Sequence, residues 1–414
     1  MPRKNSLRQR GNRAKRSLSV ISLYTGAGGL DLGLEAAGFE TRVCVEMDRD
    51  CVRTLQHNRP WPILDRDIHS IKSGELLEVG GLRRGEADLL VGGPPCQPFS
   101  KSAYWVNGDT KRLEDPRAST LGEYMRVLED TLPRAFLLEN VYGLTYEGKD
   151  EGMVFLRERL SEINRRKKVS YSFSSRVLNT ADYGVPQIRE RVFLIGSRDG
   201  SHFEFPAPRF ASQNGQKQPS LFELPPYRTA WDAIHDLNSI EHDDALKVGG
   251  RWARLLPTIP EGENYLWHTE RGGGVPLFRW RSRYWSMLLK LAKSRPSWTI
   301  QAQPGSAIGP FHWKNRRLSM REMCRIQTFP DDFEVTGGIS AVQRQLGNAV
   351  PSAMTEVLGL EVRRQLLGDR LAPSEPTLIP PARSPYPDPE PVKRVPKEYL
   401  KGPQFGSYRR VGAA

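Results

Sequence analysis

The segment 89–100 constrains the fold of this chain more than any other part of the sequence. An apolar, strand-forming run, Leu89-Leu90-Val91, leads into Gly92-Gly93-Pro94-Pro95, and Cys96 follows at once. The prolines fix their own φ angles and restrict the residues before them, so the turn is stiff. Rigid loops at the carboxyl ends of buried strands carry the reacting groups of α/β proteins. Cys96 is therefore a candidate nucleophile, although a buried structural cysteine fits this short motif equally well.

The first half of the chain alternates apolar, β-type segments with amphipathic, helical ones. This alternation predicts a doubly wound α/β fold around a mixed, mostly parallel sheet, with a second, smaller domain. The predicted strands cover residues 19–24, 41–45, 87–91, 135–138, 171–178 and 191–195. The predicted helices include 30–37, which Gly38 would cap, and 152–165.

Changes in composition divide the chain into five predicted parts. Residues 1–16 form a basic, disordered arm, and residues 17–205 form the larger domain, which holds Cys96 and would be catalytic and cofactor-binding if the motifs described below act as they suggest. Residues 206–335 form the smaller domain, after a stretch rich in proline and glutamine. Residues 336–368 are helical and return to the first domain. The tail, 369–414, contains ten prolines between residues 373 and 403, so we expect it to be extended or disordered.

Positive charge is concentrated in two segments of this 414-residue chain, whose net charge is +13. Residues 1–16 carry seven basic side chains, residues 271–321 carry eleven, and neither segment contains an acid. Segregated charge of one sign predicts a surface for a polyanion, most often a nucleic acid.

The remaining composition excludes several classes of protein. The four cysteines have no metal-ligand spacing, so we expect no metal site and a reducing compartment. No apolar run approaches the roughly 18 residues of a membrane span, and the basic N-terminal segment lacks the apolar part of a signal peptide. We therefore expect a soluble, cytoplasmic protein without a membrane partner.

The first predicted strand leads into a glycine-rich turn, Gly26-Ala27-Gly28-Gly29, and then a helix. Such a turn lets a nucleotide-like cofactor approach the backbone near a helix N-terminus. Glu46 follows Gly26 by twenty residues, a spacing that suits hydrogen bonding to ribose hydroxyls, and Asp67 could accept a hydrogen bond from an adenine amino group. The pattern predicts an adenosyl cofactor, with a nicotinamide dinucleotide as the second possibility.

Seven motifs occur in one order between residues 18 and 355. They are Gly26-Ala27-Gly28-Gly29-Leu30, Glu46-Met47-Asp48, the segment 92–100, Glu139-Asn140-Val141, Gln187-Ile188-Arg189-Glu190-Arg191, the segment 317–330, and Gln345-Leu346-Gly347-Asn348-Ala349-Val350-Pro351. With them the chain resembles the DNA (cytosine-5)-methyltransferases of the prokaryotic restriction–modification type. Tyr24 departs from the family pattern, which usually has phenylalanine there, and this change could alter packing on the cofactor.

The resemblance implies a Rossmann-like methyltransferase fold that transfers a methyl group from S-adenosyl-L-methionine to carbon 5 of cytosine. Cys96 would add to carbon 6 of a flipped-out cytosine, because this addition makes carbon 5 nucleophilic. Glu139 would supply a proton or hydrogen bond to N3, Arg191 would contact O2, and Arg189 would lie on a phosphate or near the thiolate. The implied cofactor contacts are Tyr24, Gly26, Gly28, Gly29, Leu30, Glu46, Met47, Asp67, Ile68, Pro94, Asn348 and Ala349.

The resemblance also implies that residues 206–335 form a target-recognition domain for double-stranded DNA. Arg271 precedes three glycines, so we expect it to enter a groove and read guanine. The other predicted DNA contacts are Ser100, Arg281, Arg283, Arg316 and Arg317. We interpret the nearby tryptophans as core of the small domain rather than as stacking groups.

By the same resemblance, the protein would act as a monomer on DNA, in the prokaryotic cytoplasm and near the nucleoid. It would protect DNA from a cognate restriction endonuclease.

Two alternatives stay open on the sequence. A tRNA cytosine-5 methyltransferase of the same fold has very similar motifs, although that branch typically has a shorter target region and a Cys-Phe-Thr element that this sequence lacks. A catalytically silent DNA-binding module is the other alternative, but it would not need Cys96, Glu139 and Arg191.

Overall fold

The computed structural model describes residues 17–95, 119–140, 151–212, 224–238, 244–369 and 372–400. The strands in these ranges are β1 (Leu18–Leu23), β2 (Phe39–Val45), β3 (Ile63–Leu64), β4 (Leu89–Gly92), β5 (Ala135–Asn140), β6 (Ser172–Asn179), β7 (Gln187–Ile188), β8 (Glu190–Ser197) and β9 (Ser297–Trp298). The α-helices are α1 (Gly29–Ala36), α2 (Arg49–Asn58), α3 (Ser73–Val79), α4 (Ser119–Thr131), α5 (Glu151–Lys167), α6 (Ala230–Ile234), α7 (Met320–Ile326), α8 (Ile339–Asn348) and α9 (Ser352–Gln365).

Seven strands of the described chain form one sheet in the order β3-β2-β1-β4-β5-β8-β6. Neighbours from β3 to β5 are parallel, and β8 runs antiparallel to both β5 and β6. The chain crosses from the β2 side of β1 to the β4 side, which creates a switch point where doubly wound folds bind ligands. The predicted α/β class with a mixed, mostly parallel sheet is confirmed. Each of the six predicted strands matches an observed one within about two residues, whereas β3, β7 and β9 were not predicted.

The sheet separates two apolar layers, because alternate side chains of a strand point to opposite faces. Val20 and Leu137 belong to the layer that packs beneath α1 and α9. Their neighbours Ile21 and Leu138 belong to the layer that packs against α4 and α5. Near-continuous apolar strands therefore reflect burial on both faces.

The C-terminal part returns to the first helix as two helices. The sequence predicted helical structure over 336–368, and Pro351 interrupts it between α8 and α9. Proline lacks the backbone N–H that a helix interior needs, so one continuous helix cannot form. A β-carbon on Gly33 of α1 would lie 2.2 Å from the carbonyl oxygen of Ser352, so α1 and α9 approach each other closely.

Residues 206–335 contain few regular elements and two apolar clusters. One cluster surrounds Trp313 and reaches Ala27 and Leu32 beside the sheet, so it joins this region to the first domain. The other surrounds Leu256 and Phe278. The predicted domain boundaries stay a prediction, and the basic arm 1–16 lies outside the described residues.

The predicted tail is extended but packed over residues 372–400, which we call the strap. Leu378 and Ile379 pack against the layer of α1 and α9. Val395 and Tyr399 pack into the cluster around Phe278. Among the described residues, no helix combines the length and apolar character needed to cross a membrane.

Gly33→Ala should destabilise the fold, because the new methyl group would clash with backbone atoms of α9. Overpacking of this kind costs about 1–3 kcal/mol of the free energy of unfolding, which urea denaturation measures. Gly122→Ala in α4 is the matched control: its β-carbon meets nothing within 4 Å, and alanine favours a helix. A Gly33→Ala protein as stable as wild type would contradict the close packing of the two helices.

Candidate active site and DNA-binding surface

The turn after β1 lies at the switch point of the sheet and begins α1. Tyr24, Gly26 and Gly28 have φ angles of 54°, 57° and 85°, all in the left-handed region that glycine adopts without strain. The Tyr24 hydroxyl donates to the carbonyl oxygen of Thr120 at 2.6 Å, which holds the tyrosine across the sheet edge. Gly29 has no room for a side chain, since a β-carbon would lie 2.3 Å from the carbonyl oxygen of Val350.

Glu46 ties the ends of β1 and β2 together. Its carboxylate accepts backbone hydrogen bonds from Gly26 at 2.6 Å, Met47 at 2.9 Å and Asp48 at 2.7 Å. Desolvation by burial outweighs these hydrogen bonds and raises the pKa of Glu46. A carboxylate offers about four acceptor positions, so one remains for a ligand hydroxyl.

The other predicted acid, Asp67, lies at the exposed edge of the same region. It accepts from the backbone N–H of His69 at 3.0 Å, and its Oδ1 lies 2.6 Å from the His69 ring Nδ1. These hydrogen bonds lower the pKa of Asp67. Met47 extends into solvent with 64% of its surface exposed, unusual for a large apolar side chain.

The remaining predicted cofactor residues differ in accessibility. The side chains of Leu30 and Ile68 are packed in the two apolar layers, so only their backbone atoms could contact a cofactor. Pro94 is buried at the start of the loop after β4, and Ala349 is buried just after α8. Asn348, the last residue of α8, is exposed.

A buried carboxyl group beneath the glycine turn was missed in the sequence. Asp31 of α1 accepts from the hydroxyls of Ser22 on β1 at 2.9 Å and Thr41 on β2 at 3.1 Å. The Ser22 hydroxyl also lies 3.0 Å from that of Thr25 in the turn, so the network links three elements. Desolvation raises the pKa of Asp31 to about 7 despite these hydrogen bonds. Its signal in the sequence is an acid between two core leucines.

Asp31→Asn should change the pH dependence of stability. The carboxyl ionises near pH 3.8 in the unfolded chain but holds its proton to about pH 7 when folded. The native state therefore binds more protons between these values, and its stability falls as pH rises. Relative to the variant, wild type should lose on the order of 1 kcal/mol per pH unit in this window. Urea denaturation of both proteins from pH 4.5 to 7.5 tests this, and a constant stability difference would refute it.

The second part of the site lies at the ends of β4 and β5. Glu139 Oε1 forms an ion pair with Arg191 Nε on β8 at 3.0 Å, and both side chains are largely buried. A β-carbon on Gly93 would lie 3.0 Å from Glu139 Oε2, so the carboxylate faces the loop that leads to Cys96. Asn140 completes the junction by donating to the Pro94 carbonyl oxygen at 3.4 Å.

Two opposing effects act on the pKa of Glu139. Desolvation by burial raises it, and the charges of Arg191 and Arg189 lower it less, so the net pKa is raised. Arg189 is buried and donates to the Gly347 carbonyl oxygen at 2.9 Å, which anchors α8 to this site. Arg189 therefore lies inside the protein rather than on a phosphate. The predicted residues Cys96 and Ser100 lie outside the described residues.

A cavity of about 590 Å³ opens between β7, β9 and the 262–285 segment. Its walls include Trp280, Trp285 and Trp298. Trp285 and Trp298 meet edge to face with ring centroids 4.4 Å apart, and both are more than one-third exposed. Arg271 stands 5.0 Å over the Trp280 ring. The core interpretation is correct for the buried Trp313 but wrong for the exposed pair.

Burial also separates the predicted DNA contacts. Arg271 and Arg281 are exposed, whereas Arg283 and Arg317 are half-buried. Arg316 is buried, and its guanidinium donates to both carboxylate oxygens of Glu322 at 2.8 and 2.7 Å. The prediction that Arg316 binds DNA is therefore wrong, because its guanidinium forms an ion pair with Glu322 inside the protein.

Comparison with known proteins identifies relatives across most of the chain. A family model described as C-5 cytosine-specific DNA methylase matches residues 18–364. Type II methyltransferase M.SacI of Streptomyces achromogenes is 42% identical over 372 residues, 84% of this chain and 93% of the relative. Type II methyltransferase M.NgoFVII of Neisseria gonorrhoeae is 31% identical over 346 residues, 82% of this chain and 85% of the relative.

Solved structures support the fold at lower identity. Spodoptera frugiperda DNMT2 has a TM-score of 0.57 at 16% identity, covering 83% of this chain and 98% of its own. The S. pombe Dnmt2 methyltransferase has a TM-score of 0.54 at 17% identity, covering 84% and 99%.

Proposed function

Because the chain belongs to the C-5 cytosine-specific DNA methylase family, we propose that it methylates carbon 5 of cytosine within a short, specific duplex DNA sequence. The observation that best supports the proposal is the buried Glu139–Arg191 pair, which faces the loop leading to Cys96. A proton donor and a cation are what a nucleophile needs when it adds to a pyrimidine ring.

Cys96 is the proposed nucleophile. Its thiolate adds to carbon 6 of cytosine, the 5,6 double bond becomes part of an enamine, and carbon 5 gains electron density. Carbon 5 then takes the methyl group, whose bond to the sulfonium sulfur of the donor would break with the electron pair left on sulfur. The carbon 5 proton leaves to a base or water, and expulsion of the thiolate restores the 5,6 double bond as N3 gives up the proton it received. A cytosine stacked in a duplex cannot present carbon 6, so the base must be flipped out, at a cost of a few kcal/mol.

Glu139 is the proposed proton donor to N3 of cytosine, where negative charge develops during addition. Its raised pKa favours the protonated form at higher pH than for an exposed glutamate. Arg191 holds the Glu139 carboxyl in place and can contact O2 of the base. Arg189 adds positive charge from behind the site.

The carboxyl edge of the sheet fits S-adenosylmethionine, which would supply an electrophilic methyl group. The space where a side chain of Gly26 would lie is open, so a ligand can approach the backbone. Glu46 retains an acceptor position for a ribose hydroxyl, the exposed Met47 offers an apolar surface for adenine, and Asp67 could accept from the adenine amino group. Asp31 supports the turn from below.

The DNA would lie against the aromatic cavity and its exposed arginines. Arg271 and Arg281 both stand over Trp280, at 5.0 and 5.8 Å, and this stacking presents their charges outward. Trp298 pairs in register with Ile188, one residue before Arg189, so the cavity adjoins the catalytic residues. The relatives' description as Type II methyltransferases supports pairing with a restriction endonuclease. We further propose that a monomer acts on DNA in the prokaryotic cytoplasm.

Methyl transfer can be tested directly with labelled S-adenosylmethionine, duplex DNA of diverse sequence, and tRNA as the competing substrate. We expect 5-methylcytosine at one short DNA sequence, mapped by bisulfite sequencing. With 5-fluorocytosine in that sequence, wild type should form a covalent adduct and Cys96→Ala should not. Folded protein that leaves DNA unmodified would overturn the proposal, and preference for tRNA would favour the RNA alternative.

Glu139→Gln should reduce kcat by about 100-fold or more, the usual worth of general acid–base catalysis. Glutamine keeps the size but cannot give up a proton to N3. Wild-type activity should decline as pH rises through the raised pKa of Glu139, and the variant should lack this decline. Glu158→Gln on the exposed side of α5 is the control and should behave as wild type. Equal pH profiles for the Glu139 variant and wild type would exclude a proton-donating role.

A further inference from the structure

The strap lies beyond residue 364, where the match to the family model ends. It nevertheless packs against the layer of α1 and α9 in the first domain and into the cluster around Phe278 in residues 206–335, which we call the recognition region after its proposed role. Its function is therefore not explained by the motifs that the chain shares with its family.

One end of the strap is anchored on α9. The backbone N–H groups of Thr377 and Leu378 donate to the two carboxylate oxygens of Glu356 at 2.6 and 2.8 Å, and the Thr377 hydroxyl adds a bond at 2.8 Å. Glu356 is almost completely buried. A little further along, the Arg383 N–H donates to Asp232 on α6 at 2.6 Å.

The other end is anchored on buried charges of the recognition region. Glu390 Oε1 lies 3.3 Å from the ammonium groups of both Lys293 and Lys314. Lys293 is 3% exposed, and it pairs with the equally buried Glu261 at 2.5 Å. The Glu390 N–H donates to that same carboxylate at 2.8 Å, and Lys293 also donates to the Asp388 carbonyl oxygen at 3.1 Å. The strap thus adds a second carboxylate to a cluster that also includes the buried Lys290, where three ammonium groups would otherwise face Glu261 alone.

This cluster lies directly behind the aromatic cavity. Glu261 precedes Gly262 and Glu263, which line the cavity, and its second oxygen accepts from the Lys293 backbone at 3.2 Å. Two residues after Lys293, Arg295 lines the wall beside Gly262, since a β-carbon on Gly262 would lie 3.1 Å from Arg295 Nη1. Glu390 therefore clamps two wall segments together, while Glu356 fixes the same strap to the first domain.

We propose that Glu390 is a positioning residue for DNA recognition: through Lys293 and Glu261 it sets the spacing of the cavity walls and their placement relative to the catalytic sheet. The proposal rests on the proposed function, since DNA is the ligand that the cavity wall would meet. Lys293 and Glu261 are buried together, so little water screens their attraction, and the partly exposed Glu390 adds its charge at the edge of this pair. Loss of the Glu390 charge leaves Lys293 paired with Glu261, so the fold should persist while the walls loosen.

The test is Glu390→Gln in the full chain. Hydrogen exchange without DNA should increase at 260–267 and 293–298, beyond the strap itself. With the mapped DNA sequence, KM for DNA should rise about five- to tenfold, the range of a modest coupling between sites, and kcat should stay within about twofold. Discrimination against a single-base mismatch should fall as well.

Two further variants separate positioning from general stability. Glu375→Gln removes an exposed ion pair with Arg209 elsewhere on the strap and should leave exchange, KM and selectivity unchanged. Glu390→Asp keeps the charge and should restore most of the KM. A merely structural role would lower the melting temperature and the active fraction without moving KM.

Two results would overturn the proposal. Exchange changes confined to the strap, with unchanged KM and selectivity, would show that the charge cluster does not reach the cavity. A lower KM would show that the strap competes with DNA instead. Absence of DNA methylation by wild type would refute the proposed function. Hydrogen exchange is measured without DNA, so it tests the effect of Glu390 on the cavity walls independently of that result.

Discussion

The contact between α1 and the returning segment 348–356 supports the rest of this molecule. Gly29 and Gly33 let backbone atoms of Val350 and Ser352 approach where any side chain would block them. Because α1 begins in the glycine turn, the same contact fixes the cofactor edge of the sheet. It also closes the chain around the recognition region, which leaves the sheet after β8 and returns through α8 and α9. A single packing contact therefore couples both binding surfaces to one core.

Three carboxyl groups near the carboxyl edge of the sheet are buried, and their hydrogen bonds and neighbouring charges do not fully offset the cost of desolvation. Asp31, Glu46 and Glu139 all have raised pKa values, and desolvation is the main cause for each. Their surroundings differ, and so do their uses. Hydroxyls surround Asp31 and backbone N–H groups surround Glu46, so these two organise the turn. Glu139 meets arginines and a loop, the setting of a group that exchanges a proton with a substrate.

The sequence predicted the features that follow from the order of strands and helices along the chain. Parallel strands place their carboxyl ends together, so Glu46, Glu139 and the loop after β4 could be assigned to one edge. Arg316 shows where this reasoning fails. Its burial depends on Glu322, and no local pattern distinguishes an arginine in a folded core from one on a DNA-binding face. Lys293 makes the same point over a longer distance, because one of its partners, Glu390, lies 97 residues away.

The proline-rich tail shows a related limit of prediction from sequence. Ten prolines correctly indicated an extended backbone, but composition does not reveal whether a surface exists to receive it. The apolar side chains that attach the strap include Leu378, Ile379, Val395 and Tyr399, and their irregular spacing forms no periodic pattern. The exposure of Trp285 and Trp298 could not be predicted from the sequence either, since tryptophans occur both in cores and at interfaces.

The internal lysines and arginine alter how strongly salt should act on this protein. DNA binding releases counterions in proportion to the cations that actually reach phosphates. Lys290, Lys293 and Arg316 are buried, so no more than eight of the eleven cations in the 271–321 window can take part. The logarithm of the affinity should then fall with the logarithm of the salt concentration with a slope from this window no steeper than about −7. Three of the basic side chains in this window thus stabilise the interior of the protein. The electrostatic attraction of this window for DNA is therefore weaker than its eleven basic residues suggest.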